Sequence, residues 1–94
     1  MTTTTTFKPI GRLDTTTSGT TEKELLALLT GDVNSIDMDM SSLAYISSAG
    51  LRVLLVVAKA AKARGGTLVL TGIKPAILEV LKISGFDRII AIQT

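Results

Sequence analysis

Neither cysteine nor histidine occurs among the 94 residues of the chain. Without cysteine there is no disulfide and no thiolate metal site. Without histidine the commonest general base, proton shuttle and metal ligand are missing. Aromatic residues are almost as scarce. Phe7, Tyr45 and Phe86 are the three, so any core must be aliphatic. A long uninterrupted apolar run is lacking too. The longest, about residues 51–63, is broken by Arg52, Lys59 and Lys62, and it is too short and too charged to span a bilayer. The opening MTTTTTFKPIGRLD has neither the charged nor the apolar region of a secretory signal. These absences suit a reducing cytoplasm and a chain with no membrane contact.

What is present suffices for one domain over residues 1–94. Apolar residues make up 46% of the chain, enough for a core and too many for a disordered segment. The net charge of +2 is unevenly spread. Residues 1–48 hold three bases and six acids, whereas residues 49–94 hold seven bases and two acids. Such asymmetry points either to solvated helix faces or to a charged contact surface on the later helices.

The elements follow from pattern. Residues 1–6 either fray or begin an edge strand that runs to about Leu13, with Pro9 and Gly11 able to break it into a hairpin. TEKELLALLTG reads as a helix, with Thr21 and Glu24 spaced as a capping box and Gly31 as its stop. SIDMDM alternates strictly, with Ile36, Met38 and Met40 on one side, and is a strand with one buried face. SSLAYISS leads into the longest helical pattern, from Ala49 to about Arg64, closed by Gly65 and Gly66. TLVLTG is a short strand. A helix begins near Pro75 and ends at Ser84-Gly85, and DRIIAI is a last strand. The order β-(β)-α-β-α-β-α-β predicts an α/β fold, with helices packed on a central mixed sheet of four to five strands.

The informative stretch is YISSAGLR, where two serines precede the long helix. Ser47 or Ser48 at the N-cap would accept a bond from a first-turn N–H, which accounts for one hydroxyl. The same place tolerates an anion, because first-turn N–H groups lack partners and the dipole adds about half a positive charge. A phosphate ester there would bring about −1.5 to −2 charges. It would spare the helix and change the surface that a partner meets. At about 100° per residue, Val53, Leu54, Val57, Ala58 and Ala61 share the side that should face the sheet, while Arg52, Lys59 and Lys62 share the other. Leu55 and Val56 fall among the charges. Either a neighbouring helix covers them, or they form a mixed apolar and basic docking face beside the serines.

Other chemistries find little support. Asp14 and Asp39 either cap turns or border a pocket near Ser48, and no cluster accompanies them that would suggest acid–base work or a metal. A nucleophilic serine would need a base. There is no histidine, and Lys59 lies more than two helical turns along. The basic second half lacks the aromatic platforms and the dense arginine cluster of a nucleic-acid module. No enzyme activity, cofactor, metal or direct nucleic-acid contact is expected.

IDMDMSSLAYISSAGLRVLL resembles the signature of STAS domains, in particular the small anti-sigma factor antagonists. Asp39-Met40-Ser41, then Tyr45-Ile46, then Ser48, Gly50 and Leu51 match that signature. GRLD, ending at Asp14, matches an early turn of the family. The segment from Gly65 to Ile92 is similar to its closing strand, helix and strand. Two positions depart from the pattern, with Ser47 in place of the motif aspartate and Ala49 in place of a second hydroxyl residue. The resemblance implies a partner switch. The unmodified protein binds an anti-sigma factor that is also a GHKL-type serine kinase, and the sigma factor is released. Phosphorylation of Ser48 breaks the complex, and a PP2C-type phosphatase resets it. The implied partner-binding residues are Asp14, Ser47, Ala49, Gly50, Leu51, Arg52, Leu55, Val56 and Lys59, on a monomer or weak dimer. Similar domains also serve outputs without a sigma factor, such as secretion, motility or second messengers, and others accompany lipid transport or transporters.

Overall fold

A computed structural model describes residues 3–93. Strands β1 (Thr4–Phe7), β3 (Ser35–Asp39), β5 (Leu68–Thr71) and β6 (Ala91–Ile92) form one sheet in the order β1-β3-β5-β6. A second, two-stranded ribbon pairs β2 (Gly11–Leu13) with β4 (Leu43–Ile46). Three helices complete the order: α1 (Ser18–Leu28), α2 (Ser48–Ala63) and α3 (Pro75–Ile83). The expected α/β alternation holds. Every strand pair among the described residues is parallel, where a mixed sheet was expected. Parallel neighbours need crossovers of a dozen or more residues, and α1, α2 and α3 lie in the connections that provide them.

Register and pleat explain the core. Phe7, Met38, Leu70 and Ile92 stand in line across the sheet, as do Thr5, Ile36 and Leu68. Ile36, Met38, Leu68 and Leu70 are buried, with Leu54, Val57 and Ala61 of α2 and Ile77 and Leu81 of α3 in the same cluster. Each such Leu, Ile, Val or Met side chain contributes about 1.5–3 kcal/mol on burial. The core is aliphatic as composition requires, since Phe7 and Phe86 are only half-buried. Thr6, Asp37, Val69 and Ala91 line up on the other side of the pleat and stay exposed or half-exposed.

Several expected details differ. No hairpin forms near the amino terminus, because β1 and β2 belong to different sheets. Pro9 is buried between them, and Gly11 sits at φ 80°, a backbone turn that carries β2 away from the sheet. Thr2, where the expected strand begins, lies outside the described residues. Helix α1 starts at Ser18 rather than Thr21, because Asp14 builds the preceding turn and its carbonyl accepts from Ser18 N–H at 2.8 Å. The Thr21–Glu24 spacing is therefore inside the helix and caps nothing. Strand β4 was not expected at all. Its burial runs buried, exposed, exposed, buried, with a register shift between Gly11 and Arg12 of its partner, so it shows no period of two. The last strand shrinks to two residues after a 3-10 turn at Phe86–Arg88. Ala58, expected on the buried side of α2, is half-buried. No helix among the described residues is long and apolar enough to cross a membrane.

Candidate functional site

Ser47 is the N-cap of α2, in extended backbone at φ −102°, and its Oγ accepts from Gly50 N–H at 3.3 Å. Its own N–H donates to the Leu13 carbonyl at 3.0 Å, which ties the start of α2 to the end of β2. Gly50 is required by the same closeness. A Cβ there would lie 2.5 Å from Leu13 O and 2.7 Å from Ile46 Cγ1. The cap thus occupies one serine and leaves the other. Ser48 is the first helical residue, exposed, and its hydroxyl has no hydrogen-bond partner among the described residues. The two hydroxyls that the sequence sets side by side have different tasks.

Helix α1 packs on α2, and the two helix starts enclose a cleft of about 390 Å³. Ser18, Gly19 and Glu22 line it from α1, and Ser48, Ala49, Arg52 and Val53 from α2. Ser18 Oγ donates to the Asp14 carbonyl and is thereby committed. Along α2, Ser48, Arg52, Leu55 and Lys59 fall within one narrow outward stripe at about 100° per residue. Ser48, Arg52 and Lys59 are exposed and Leu55 is half-buried. Val56 continues the row of Ala49 and Val53 on the side of α1, whereas Leu51 turns the other way and packs on the core. The neighbouring helix therefore accounts for the row that contains Val56, and Leu55 stays between two cations.

Asp14 belongs to the adjoining turn. It accepts from Thr16 N–H at 3.0 Å and Thr16 Oγ1 at 2.7 Å, and Arg12 Nε donates to it at 3.0 Å. The Thr16 hydroxyl, then the Arg12 guanidinium, hold its carboxyl down at about 2. Asp39 is lowered by the Ser41 hydroxyl and N–H, with help from the charge of Lys8. Each aspartate organises its own turn. Among the described residues no group of three or more acids could hold a metal ion.

Arg12 and Tyr45 fall inside the matched motifs but are not among the expected partner-binding residues. The β2–β4 register sets them opposite each other, and the guanidinium stacks 4.3 Å from the ring centroid. Tyr45 remains 44% exposed. Tyr45 precedes Ser47 by two residues, and only the ribbon pairing, which pattern could not show, brings Arg12 to the same place. Ser18 and Glu22 carried no signal, since α1 was expected to begin after Ser18.

The STAS domain model matches residues 2–94 of the chain. The protein BtrV of Bordetella bronchiseptica, named as an anti-sigma factor antagonist, is 48% identical over 65 residues, 69% of this chain and 56% of that protein. The matched region thus spans little more than half the length of that relative. The fold is similar to that of the anti-sigma factor antagonist SpoIIAA in its unphosphorylated form, with TM-score 0.82 at 21% identity over 100% of this chain and 83% of the other. It is also similar to a Thermotoga maritima protein named for the same role, with TM-score 0.88 at 24% identity over 97% and 80% of the two chains. The Bacillus SpoIIAA structure in phosphorylated form gives 0.72 at 22% identity over 97% and 83%.

Proposed function

The chain belongs to the STAS domain family, and from that premise we propose that it is an anti-sigma factor antagonist operated by a partner switch. The unmodified protein binds a GHKL-type anti-sigma serine kinase in the cytoplasm and frees the sigma factor. Phosphorylation of Ser48 ends that binding, and a PP2C-type phosphatase restores it. The protein acts here as a regulated ligand, a monomer or weak dimer, and not as a catalyst.

The observation that carries this reading is the division of labour between the serines. Ser47 satisfies the helix end, so Ser48 Oγ, at the exposed first helical position, has no bond among the described residues. In the transfer step that oxygen attacks the γ-phosphorus of ATP. The new O–P bond forms as the bond to the β,γ-bridging oxygen breaks. ADP leaves, and the hydroxyl proton passes to a base on the kinase. This chain has no histidine to serve as that base, and Asp14 is held by Arg12 and Thr16. The product carries about two negative charges on a helix start that stabilises them. Folding is spared. The outward stripe of Arg52, Leu55 and Lys59, with Ala49 beside it and Asp14 and Ser47 at its end, is the docking face whose charge then changes, while buried Gly50, core-packed Leu51 and Val56 on the α1 side support it from within.

The test uses the GHKL-type kinase encoded nearest the gene, with ATP, and maps the label by mass spectrometry. Phosphate on Ser48 is expected. Label on other residues with none on Ser48 overturns the assignment. Ser48→Asp should weaken kinase binding by about tenfold or more, which is about 1.4 kcal/mol, while Ser48→Ala should bind and resist release.

A further inference from the structure

Arg52 stands one helical turn after Ser48 and lines the same cleft, and its side chain makes no ion pair or hydrogen bond among the described residues. The neighbouring arginines are committed. Arg12 is bound to Asp14 and stacked on Tyr45, and Arg64 donates to the carbonyls of Val33 and Gly31. Lys59 is farther from Ser48, about 16 Å along the helix axis. Residues four apart on a helix are surface neighbours, about 5–6 Å between Cβ atoms. A guanidinium is planar and can donate two N–H bonds to two oxygens of one phosphoryl group.

We infer that Arg52 clamps the phosphoryl group of phosphorylated Ser48 in the same chain, so that the α1–α2 cleft is a phosphomonoester site for the protein's own modification. The inference rests on Ser48 being the phosphoacceptor. Glu22 faces the cleft from α1, and its like charge presses the dianion toward α2 and Arg52. The consequence is a double loss for the partner. Modification adds negative charge to the docking face, and it also withdraws the cation that the partner would meet first. One side chain serves the bound state when Ser48 is free and the released state when it is phosphorylated.

The test does not need the kinase. Phosphoserine is installed at position 48 of the full chain by genetic encoding, and the second phosphate ionisation is followed by phosphorus NMR. Arg52→Gln should raise that pKa by about half a unit, roughly a threefold gain in proton affinity, the size expected of an exposed helical ion pair. Arg52→Lys should recover part of the shift, and Glu22→Gln should lower the pKa below that of the wild type. The shift should shrink in about 1 M salt. An unchanged pKa in Arg52→Gln overturns the clamp. An equal rise in Lys59→Gln overturns it as well, because the effect would then be a general field. Failure of any kinase to label Ser48 would sink the functional proposal and leave this measurement readable.

Discussion

The two ends of α2 are built from similar residues and do different work. At its carboxyl end Arg64 reaches back to the carbonyls of Gly31 and Val33, at 2.6 and 3.0 Å. Gly66 presses on Asn34, and Ser35 Oγ accepts from Thr67 N–H at 3.0 Å. The charge and the hydroxyl are both spent inside the protein. At the amino end the Arg52 and Ser48 side chains have no hydrogen-bond or ion-pair partner among the described residues. The difference teaches that exposed cations on one helix are not equivalent. One staples the loop after α1, and the other is exposed with no side-chain partner among the described residues.

The largest way to break this comparison is to remove the close approaches that hold both ends. A Cβ on Gly66 would lie 1.8 Å from Asn34 O, so backbone must move. Gly66→Ala should cost about 3 kcal/mol or more in urea unfolding. Gly50→Ala should cost about 1–3 kcal/mol, and should also disturb kinase binding, which Gly66→Ala at the far end should not. Equal binding by both variants would deny that the amino end is special.

Exchanging the arginines comes next. Arg64→Ala should lower stability by about 1–2 kcal/mol, from two lost bonds to backbone carbonyls, and leave binding unchanged. Arg52→Ala should do the reverse, with under about 0.5 kcal/mol in stability and a clear loss of affinity. A smaller effect is expected at the cap. Ser47→Ala should cost about 1 kcal/mol, and Ser47→Asp should keep the cap while adding charge beside Ser48, which kinase turnover would register.

The smallest effect is in acid. The Asp14 carboxyl is lowered from 3.8 to about 2 in the folded protein. Its contribution is therefore complete above pH about 4 and disappears as pH falls toward 2. Asp14→Asn should flatten that limb of the stability profile. An unchanged acid limb would mean that the Asp14 turn is not what tethers α1.

Legibility followed the range of the interactions. SIDMDM showed its strand through alternation, and α2 was placed within a residue of its observed start because consecutive residues carry a helical period and a cap. Strand β4 stayed hidden. Tyr45 and Ala44 are both exposed between two buried residues, a pattern that only its bulged pairing with β2 explains. The start of α1 was misplaced for a related reason. Thr21 and Glu24 make a plausible local signal, yet the turn at Asp14, fixed by Arg12 and Thr16, begins the helix earlier. Ser47 and Ser48 could each have been the cap, since both are good N-caps and nothing adjacent distinguishes them.

Read alone, the residues settled the aliphatic core, the α/β alternation and a serine at the head of the main helix. Periodicity, composition and capping are properties of neighbouring residues, so no folded neighbour is needed to see them. Folding alone decided which serine stays free, which arginine is uncommitted and what stands across the cleft. Those outcomes depend on the Leu13 carbonyl reaching Ser47, on the carbonyls of Gly31 and Val33 reaching Arg64, and on helix packing that sets Glu22 and Arg52 in one cleft. These placements join residues about 30 positions apart, and only strand pairing and helix packing bring them together.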